Sequence, residues 1–454
     1  MSRQKVDSEM IVSIAASKLS GALPALDGSA LTGITGMLKG ASDPLVTTNP
    51  AGGVGSMYLN TADGEMFVCT DATAGANVWT NVGTGTGDIA PWQYGGTIAG
   101  YTMGGYNSPA THGASIQKID FASDSAEGEV GQLSLPRHEN STQSSATHGY
   151  VSGGGINGSA PWNTTVRDKY QFGTNSNSVP TPSLPTARSN CRGNSNDTHG
   201  FICGGSHGAI GTSNVIEKFS FAIESDTADH GDLSTARGQG ATSGNKTHGY
   251  ITWGQSNTSV NLIDKYSYTS QANATDVGDL ITTGGRQAGH KSETHGYASG
   301  GDIQPTMSTN SGINVIEKFA FASSGNGSDV GDLTTVKTSV SGVMSITHGY
   351  VRGGRSGQPI VYKTDIEKFP FASDSNSTDL GDLITAGSNF GFNGQQSLTH
   401  GYTTGGEGSG NGTRIQKHSF SSSANATSVG TLAVTNSTGA GASSTTHGYI
   451  GGGA

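Results

Sequence analysis

Charge is scarce in this chain: only 13% of its 454 residues are Asp, Glu, Lys or Arg, with 24 basic against 34 acidic side chains and a net charge of −10. No cluster of Lys and Arg stands out, so the basic face that neutralises phosphates is missing and nucleic acid is excluded as a partner. No apolar run approaches the roughly 18 residues of a membrane span, which excludes membrane insertion by a helix. Three cysteines, Cys69, Cys191 and Cys203, are too few for a disulfide framework. One Cys191–Cys203 bridge between neighbouring strands stays open beside reduced packing residues. Asp7 and Glu9 precede the short apolar stretch of residues 1–16, so a signal peptide is not expected. Long stretches of helix formers are also missing.

What the chain has in abundance is glycine, 72 residues of it, with much Ser, Thr and Asn, a composition suited to many short strands joined by tight turns. The glycines recur in register, which argues against disorder. Thr-His-Gly followed by Tyr or Phe occurs seven times, at His148, His199, His248, His295, His348, His400 and His447, at intervals of 51, 49, 47, 53, 52 and 47 residues. A period near 50 without a helical pattern predicts a β-propeller, with one four-stranded sheet per repeat.

Three regions follow: residues 1–40, 41–87 and 88–454. In the first, Asp7 can cap a short helix whose apolar positions are Met10, Ile11, Ile14 and Ala15, with Gly21 as its stop. Such a helix is too short to stand alone and is expected to dock on a partner. Residues 19–34 space leucines between small and turn residues, as an extended segment does when its Leu side chains meet inside an intertwined bundle; a flexible linker is the alternative. In the second region, the stretch from Gly55 to Asp71 reads as two alternating strands about an Asp63-Gly64 turn, with Trp79 covering the sheet.

The phrase Leu23-Pro-Ala-Leu-Asp-Gly-Ser-Ala-Leu-Thr-Gly33 resembles segments near the N-termini of tail-fibre and other appendage proteins of tailed phages, particularly phages of aquatic bacteria. Residues 55–83 resemble the small β modules of the same proteins. Residues 90–454 resemble the kelch superfamily. Each unit has an Arg or small polar residue at strand a, the Thr-His-Gly turn, strand b ending in a glycine pair, a variable loop, strand c, an Asp/Asn-rich turn, and strand d around Gly-Asp-Leu. Seven strand-c segments, from Ile116-Gln-Lys118 through Ile216-Glu-Lys-Phe219 to Ile415-Gln-Lys417, imply seven blades. The Trp that the kelch pattern has on strand d is Leu here, as in Gly231-Asp-Leu233. The chain also begins its repeats at strand b and ends them with a strand a and a surplus strand b, so C-terminal strands are expected to close the ring. Which strand b, that beginning at Gly100 or that beginning at His447, occupies the first blade stays open.

Within the repeat, the glycine pair is read as relief of crowding, and Phe219 and Phe221 as core between blades. Lys218, Lys265, Lys318 and Lys368 are matched with Asp232, Asp279, Asp332 and Asp382 of strand d, or else extend outward. Thr-His-Gly is read as the a–b turn, its Gly at positive φ and its imidazole bonded to an adjacent turn or blade. Equivalent histidines on different blades stand too far apart to share a metal. The loops around Asp226, Asn273, Asn326 and Asp374 lack the Gly and terminal Glu of an EF-hand, leaving Asx turns as the expectation. No metal and no cofactor is expected.

No catalytic constellation emerges. The Tyr–Cys pair of a kelch copper-radical oxidase and the arginine triad of a sialidase are both missing, so no enzyme is expected. Recognition is placed on the loops that vary between blades, residues 105–115, 155–165, 206–214, 255–260, 302–314, 355–365 and 407–414. There Tyr106, Trp162, Arg355 and Tyr362 offer stacking planes and bidentate donors of the kind that hold sugar rings and acidic sugars. The expected protein is a non-enzymatic virion appendage, tail fibre-like, at the particle surface. Its residues 1–40 join other virion proteins and assemble the chain as a homotrimer, and its propeller attaches to a host-surface glycan or protein. The alternatives are a capsid decoration or fibre protein without a specific ligand, and a secreted kelch-type oxidase or lectin-like enzyme.

Overall fold

The computed structural model describes residues 37–83, 96–107, 111–156, 162–208, 211–223, 225–254, 260–303, 312–387, 394–406, 412–434 and 440–444. The expected N-terminal helix and the leucine segment of residues 19–34 lie outside them, as does the surplus strand b at His447. All regular structure among the described residues is β, in small and mostly antiparallel sheets, a pattern consistent with a β-propeller-like fold. The chain divides into two compact units, Met1–Pro91 and Trp92–Ala454.

The first unit holds one sheet of strands β1 (Met37–Gly40), β2 (Met57–Asn60), β3 (Met66–Asp71) and β4 (Val78–Asn81) in that order. β1 runs parallel to β2 and the other pairs are antiparallel, so the sheet takes in residues N-terminal of 41. Between β2 and β3, Gly64 adopts a φ of 82°. The Glu65 amide donates to Asp63 Oδ1 (3.0 Å), an Asx turn that suits this dipeptide. Trp79 is fully buried with Phe67 and Cys69, and the Tyr58 ring meets it edge-on at 5.9 Å.

Among the described residues, the second unit contains seven four-stranded sheets. Sheet 2 comprises Ser141–Ser144, His148–Ser152, Arg167–Gln171 and Val179–Thr181, and serves as the pattern of strands a to d. Sheets 3 to 7 begin their strands a at Arg192, Ala241, Ala288, Ser341 and Gly394. Sheet 1 is composite: strand a is Ala440–Ser444, near the C-terminal end of the chain, and strands b, c and d are Ala99–Met103, Ser115–Asp120 and Ser125–Gln132. The strand b beginning before Gly100 therefore occupies sheet 1. Each strand a lies beside the strand a of the next sheet, and that of sheet 7 lies beside that of sheet 1, which neighbours sheet 2.

Three repeated devices join successive sheets. Among the described residues, the Tyr two places after a motif His stacks on a ring at the end of strand c in the next sheet, as in Tyr150–Phe221 (5.1 Å), Tyr250–Phe321 (4.7 Å), Tyr350–Phe420 (4.6 Å) and Tyr402–Phe121 (4.8 Å). Burying such pairs contributes both area and a preferred ring geometry. In the second device, an Asn in the c–d turn of sheets 4 to 7 accepts the amide N–H of the preceding sheet's strand d. The pairs are Asp232 to Asn273 (3.1 Å), Asp279 to Asn326 (3.0 Å), Asp332 to Asn376 (3.1 Å) and Asp382 to Asn425 (3.0 Å). The loops around Asn273, Asn326 and Asp374, which superficially resemble calcium ligands, thus act as clamps.

The third device is an acceptor on strand c that takes the N–H following the Leu of the preceding Gly-x-Leu. Asp168 takes Ser134, Asp264 takes Ser234, Glu317 takes Ile281, Glu367 takes Thr334, Gln416 takes Ile384 and Gln117 takes Ala433. Glu217 departs from the series because Pro185 follows Leu184 and has no N–H to give. It is met instead by Arg188 and the Thr227 hydroxyl.

The Thr-His-Gly motif differs from expectation. The turn itself is Ser or Asn followed by two residues, whose side-chain oxygen accepts the next amides; Asn245 Oδ1 takes the N–H of Thr247 and of His248, each at 2.9 Å. His is the first residue of strand b, and its Nδ1 meets the hydroxyl of its own Thr neighbour rather than another blade (2.8 Å for Thr247 and His248). The following Gly has no positive φ. It is needed because the cross-strand ring of strand c lies flat over it: a Cβ on Gly249 would stand 2.3 Å from the Tyr266 ring, and one on Gly349 would stand 2.3 Å from Phe369. Positive φ belongs to the glycine pair, for example Gly204 (58°) and Gly205 (114°). A Cβ on Gly204 would meet the Arg237 carbonyl at 2.2 Å.

Candidate functional site

Antiparallel pairing puts the b–c loops and the d–a links at one end of the sheets and the His-bearing turns at the other. Loops and links are bridged directly: His138 with Gly155, Ser189 with Ser206, and Thr338 with Arg355. Short hairpins stiffen the loop end, among them Tyr106–Asn107 with Thr111–His112, Ser206–His207 with Gly211–Thr212, and Arg355–Ser356 with Val361–Tyr362.

The four residues singled out from the sequence all stand at this end, on separate loops except for one pair. Arg355 and Tyr362 are direct cross-strand partners. Trp162 is 55% exposed; the next residue, Asn163, donates to the Ser206 carbonyl (2.7 Å) and ties this loop to the following one. Tyr106 is 37% exposed and meets the His138 ring edge-on at 5.2 Å. His138 Nδ1 lies 3.1 Å from the carbonyl of Gly155. Tyr106, His138 and the loop that carries Trp162 are therefore linked in series.

Sequence reasoning missed the residues nine places before each motif His. Glu139, Asn190, Gln239, Arg286 and Ser339 all adopt left-handed backbone, with φ between 50° and 60°. Non-glycine residues hold such φ values only where surroundings impose them. For the first three the imposition is a chain of bonds between successive links: the Asn190 amide donates to the Glu139 carbonyl (2.9 Å) and the Gln239 amide to that of Asn190 (3.2 Å). The Asn190 side-chain amide also donates to Glu139 Oε2 (2.7 Å). The regular spacing was visible; the conformation was not.

Arg286 brings a positive charge to that series, and it pairs with the buried Asp302 (3.1 Å). Burial pushes the Asp302 carboxyl up from the ordinary range, while Arg286 and Arg355 pull it down. Arg355 is thus partly engaged with this buried acid as well as placed beside Tyr362. Two residues further upstream, the same links carry Arg137, Arg188, Arg237 and Lys337, which form buried ion pairs with Asp168 (2.8 Å), Glu217 (3.0 Å), Asp264 (2.9 Å) and Glu367 (2.5 Å). The strand-c acids are thereby occupied by structure.

At the opposite end, His199, His248, His295, His348 and His400 are held below the usual imidazole range, first by burial and then by the strand-c lysine beside each. Those lysines do not pair with strand d of their own sheet as the sequence suggested. Lys218 donates to the Tyr268 carbonyl (2.9 Å), and Lys318 and Lys417 reach Asp374 and Asp124, all on the next sheet. Among the described residues no group of His, Cys, Asp and Glu could hold a metal ion, no helix is long and apolar enough to cross a membrane, and all three cysteines are free and buried.

No family model matches the chain, and no curated protein matches it. Solved structures do: one named "Structure of YjhT" is similar with a TM-score of 0.50 at 10% identity, over 66% of this chain and 99% of that one. At such identity the likeness is one of fold, an all-β architecture of small antiparallel sheets.

Proposed function

We propose that this chain is a non-enzymatic virion appendage protein of the tail-fibre kind, whose second unit is a seven-bladed, kelch-like β-propeller that binds a host-surface glycan. Residues 1–40 would attach it to other virion proteins and assemble it as a trimer, with the propellers displayed at the particle surface. The phage-like phrase of residues 23–33 supports the setting. Seven four-stranded sheets, with strands a adjacent in sequence order and a composite first sheet, support the blade count.

The observation that carries the binding role is the contrast between the two ends of the sheets. One end repeats the same Ser/Asn-x-Thr-His turn, while the other varies from loop to loop and presents Trp162 and Tyr106, exposed by 55% and 37%, with the hydrogen-bonded left-handed residues Glu139, Asn190 and Gln239 in the links at the same end. An exposed aromatic plane flanked by fixed hydrogen-bonding groups suits a sugar ring.

Adsorption of particles, or of purified protein, to host cells tests this reading. Trp162→Ala and Tyr106→Ala together should abolish adsorption while leaving the melting temperature nearly unchanged, since exposed loop substitutions cost within about 0.5 kcal/mol. Adsorption that persists in the folded double variant would favour a decoration protein without a ligand at these loops.

A further inference from the structure

Lys337 ends strand d of sheet 5 (Ser328–Lys337) and takes the link position that Arg137, Arg188 and Arg237 take after sheets 1 to 3. A guanidinium keeps its proton, whereas a buried Lys ammonium can release one and become a nucleophile. Asp365 opens strand c of sheet 6 (Asp365–Pro370), opposite Asp382 of strand d. At that position the other sheets carry Ser115, Val166, Val215, Leu262, Val315 and Arg414. The link with a primary amine thus meets the strand c that has a carboxylate at this position, and the two substitutions occur together.

The three side chains concerned are in contact. The Lys337 amine is fully buried; it touches Asp365 Oδ2 and lies 2.5 Å from Oε1 of the equally buried Glu367. Arg137, Arg188 and Arg237 each face one carboxylate, whereas Lys337 faces two. The second oxygen of Glu367 is held by the Thr334 amide (2.6 Å) and the Ser377 hydroxyl, which keeps Oε1 turned to the amine. Asp365 and Glu367 also hydrogen-bond to each other, which requires a proton between the two carboxyl groups. Both reacting backbones are fixed: the Lys337 carbonyl accepts the Gly301 amide (2.9 Å), and the Asp365 carbonyl accepts that of Gly353 (3.0 Å). A nitrogen in contact with Oδ2 stands one C–O bond from the carboxyl carbon.

We propose that Lys337 and Asp365 condense into an isopeptide bond, a covalent cross-link between sheets 5 and 6, with Glu367 as the proton carrier. The Nζ–Cγ bond forms and the Cγ–Oδ2 bond breaks. Of the three ammonium protons one stays on the amide and two leave with Oδ2 as water; Glu367 takes a proton from Nζ and delivers it to the departing oxygen. Nothing is oxidised or reduced, and no co-reactant is consumed. Burial favours the neutral amine and neutral acid over the separated charges, and groups held in contact react as if at effective molarities of about 10⁵–10⁸ M. Asp365 keeps 23% of its side-chain surface exposed, which gives the water a way out. The bond does not depend on the ligand proposed for the loop end.

Mass spectrometry of the denatured full chain reads the bond directly. The chain should be lighter by one water than its sequence requires, and digestion should release a branched peptide joining Lys337 to Asp365. Lys337→Arg keeps the buried cation and restores the residue type of the other links; it should have its full sequence mass, as should Glu367→Gln. Full mass in the unaltered chain, or a water lost equally by Lys337→Arg, would overturn the proposal. A branched peptide retained in Glu367→Gln would overturn the role given to that carboxyl.

Discussion

Gly249 shows how one residue's absence of a side chain sets the geometry of a strand pair. The Tyr266 ring lies where a Cβ would be, 2.3 Å away, and Tyr266 is itself 1% exposed, so it has no free space into which to turn. Gly249→Ala should therefore cost about 1–3 kcal/mol, the range for overpacking a close-packed core. Replacing Tyr266 by Leu in the same chain should recover part of that loss, and a double-mutant cycle by urea unfolding measures the coupling. Equal losses with and without the ring would mean that the glycine serves the backbone alone. The same position explains why the motif is conserved within the chain as Thr-His-Gly and not as a looser polar turn.

Between elements, the strand-c acceptor is the common requirement and the ion pair is an addition to it. Where the link carries Arg137, Arg188, Arg237 or Lys337, the acceptor is Asp or Glu. In sheet 7 the corresponding link carbonyl belongs to Gly387, and the acceptor is the neutral Gln416. Sheet 5 meets the requirement without a cation at that place: the link position is Gly284, and the buried Glu317 accepts from the Ile281 and Thr282 amides and the Thr282 hydroxyl, hydrogen bonds that offset the cost of burying its charge. Arg137→Ala leaves Asp168, which is fully buried, without its cation and should destabilise by about 3–5 kcal/mol. Combining Arg137→Ala with Asp168→Asn keeps the acceptor for Ser134 and should lose clearly less, again by urea unfolding. A double variant as unstable as the single one would show that packing of the Arg stem, not charge, decides the site.

At the scale of the whole molecule, closure depends on a strand far from its partners in sequence. Ala440–Ser444 supplies strand a of sheet 1 against Ala99–Met103, so residues from the two ends of the second unit share one sheet. Without that strand, the amides and carbonyls along Ala99–Met103 lose a row of ladder bonds and the sheet acquires an edge. Truncation after residue 434 should lower the melting temperature markedly and promote association of the second unit through the open edge, measured by calorimetry and sedimentation. A truncated chain that melts as the full one does would show that the composite sheet contributes little.

Much of this was legible in the chain because it repeats. The period set by His148 to His447, the strand-c segments around Lys218 and its equivalents, and the glycine pairs are local patterns, and each repeat restates them. Loop variability likewise pointed to Tyr106, Trp162, Arg355 and Tyr362, since variation against a constant frame is visible without coordinates. What depended on tertiary structure was every relation between repeats. Lys318 reaches Asp374 on the next sheet, Asn273 clamps the amide of Asp232, Asp302 is buried between Arg286 and Arg355, and Gly249 faces Tyr266 across a strand. Local propensity carries no information about which neighbour's loop comes to rest against a side chain; that is settled by the packing of one sheet on another, where close approach and the need to satisfy buried polar groups choose the partners.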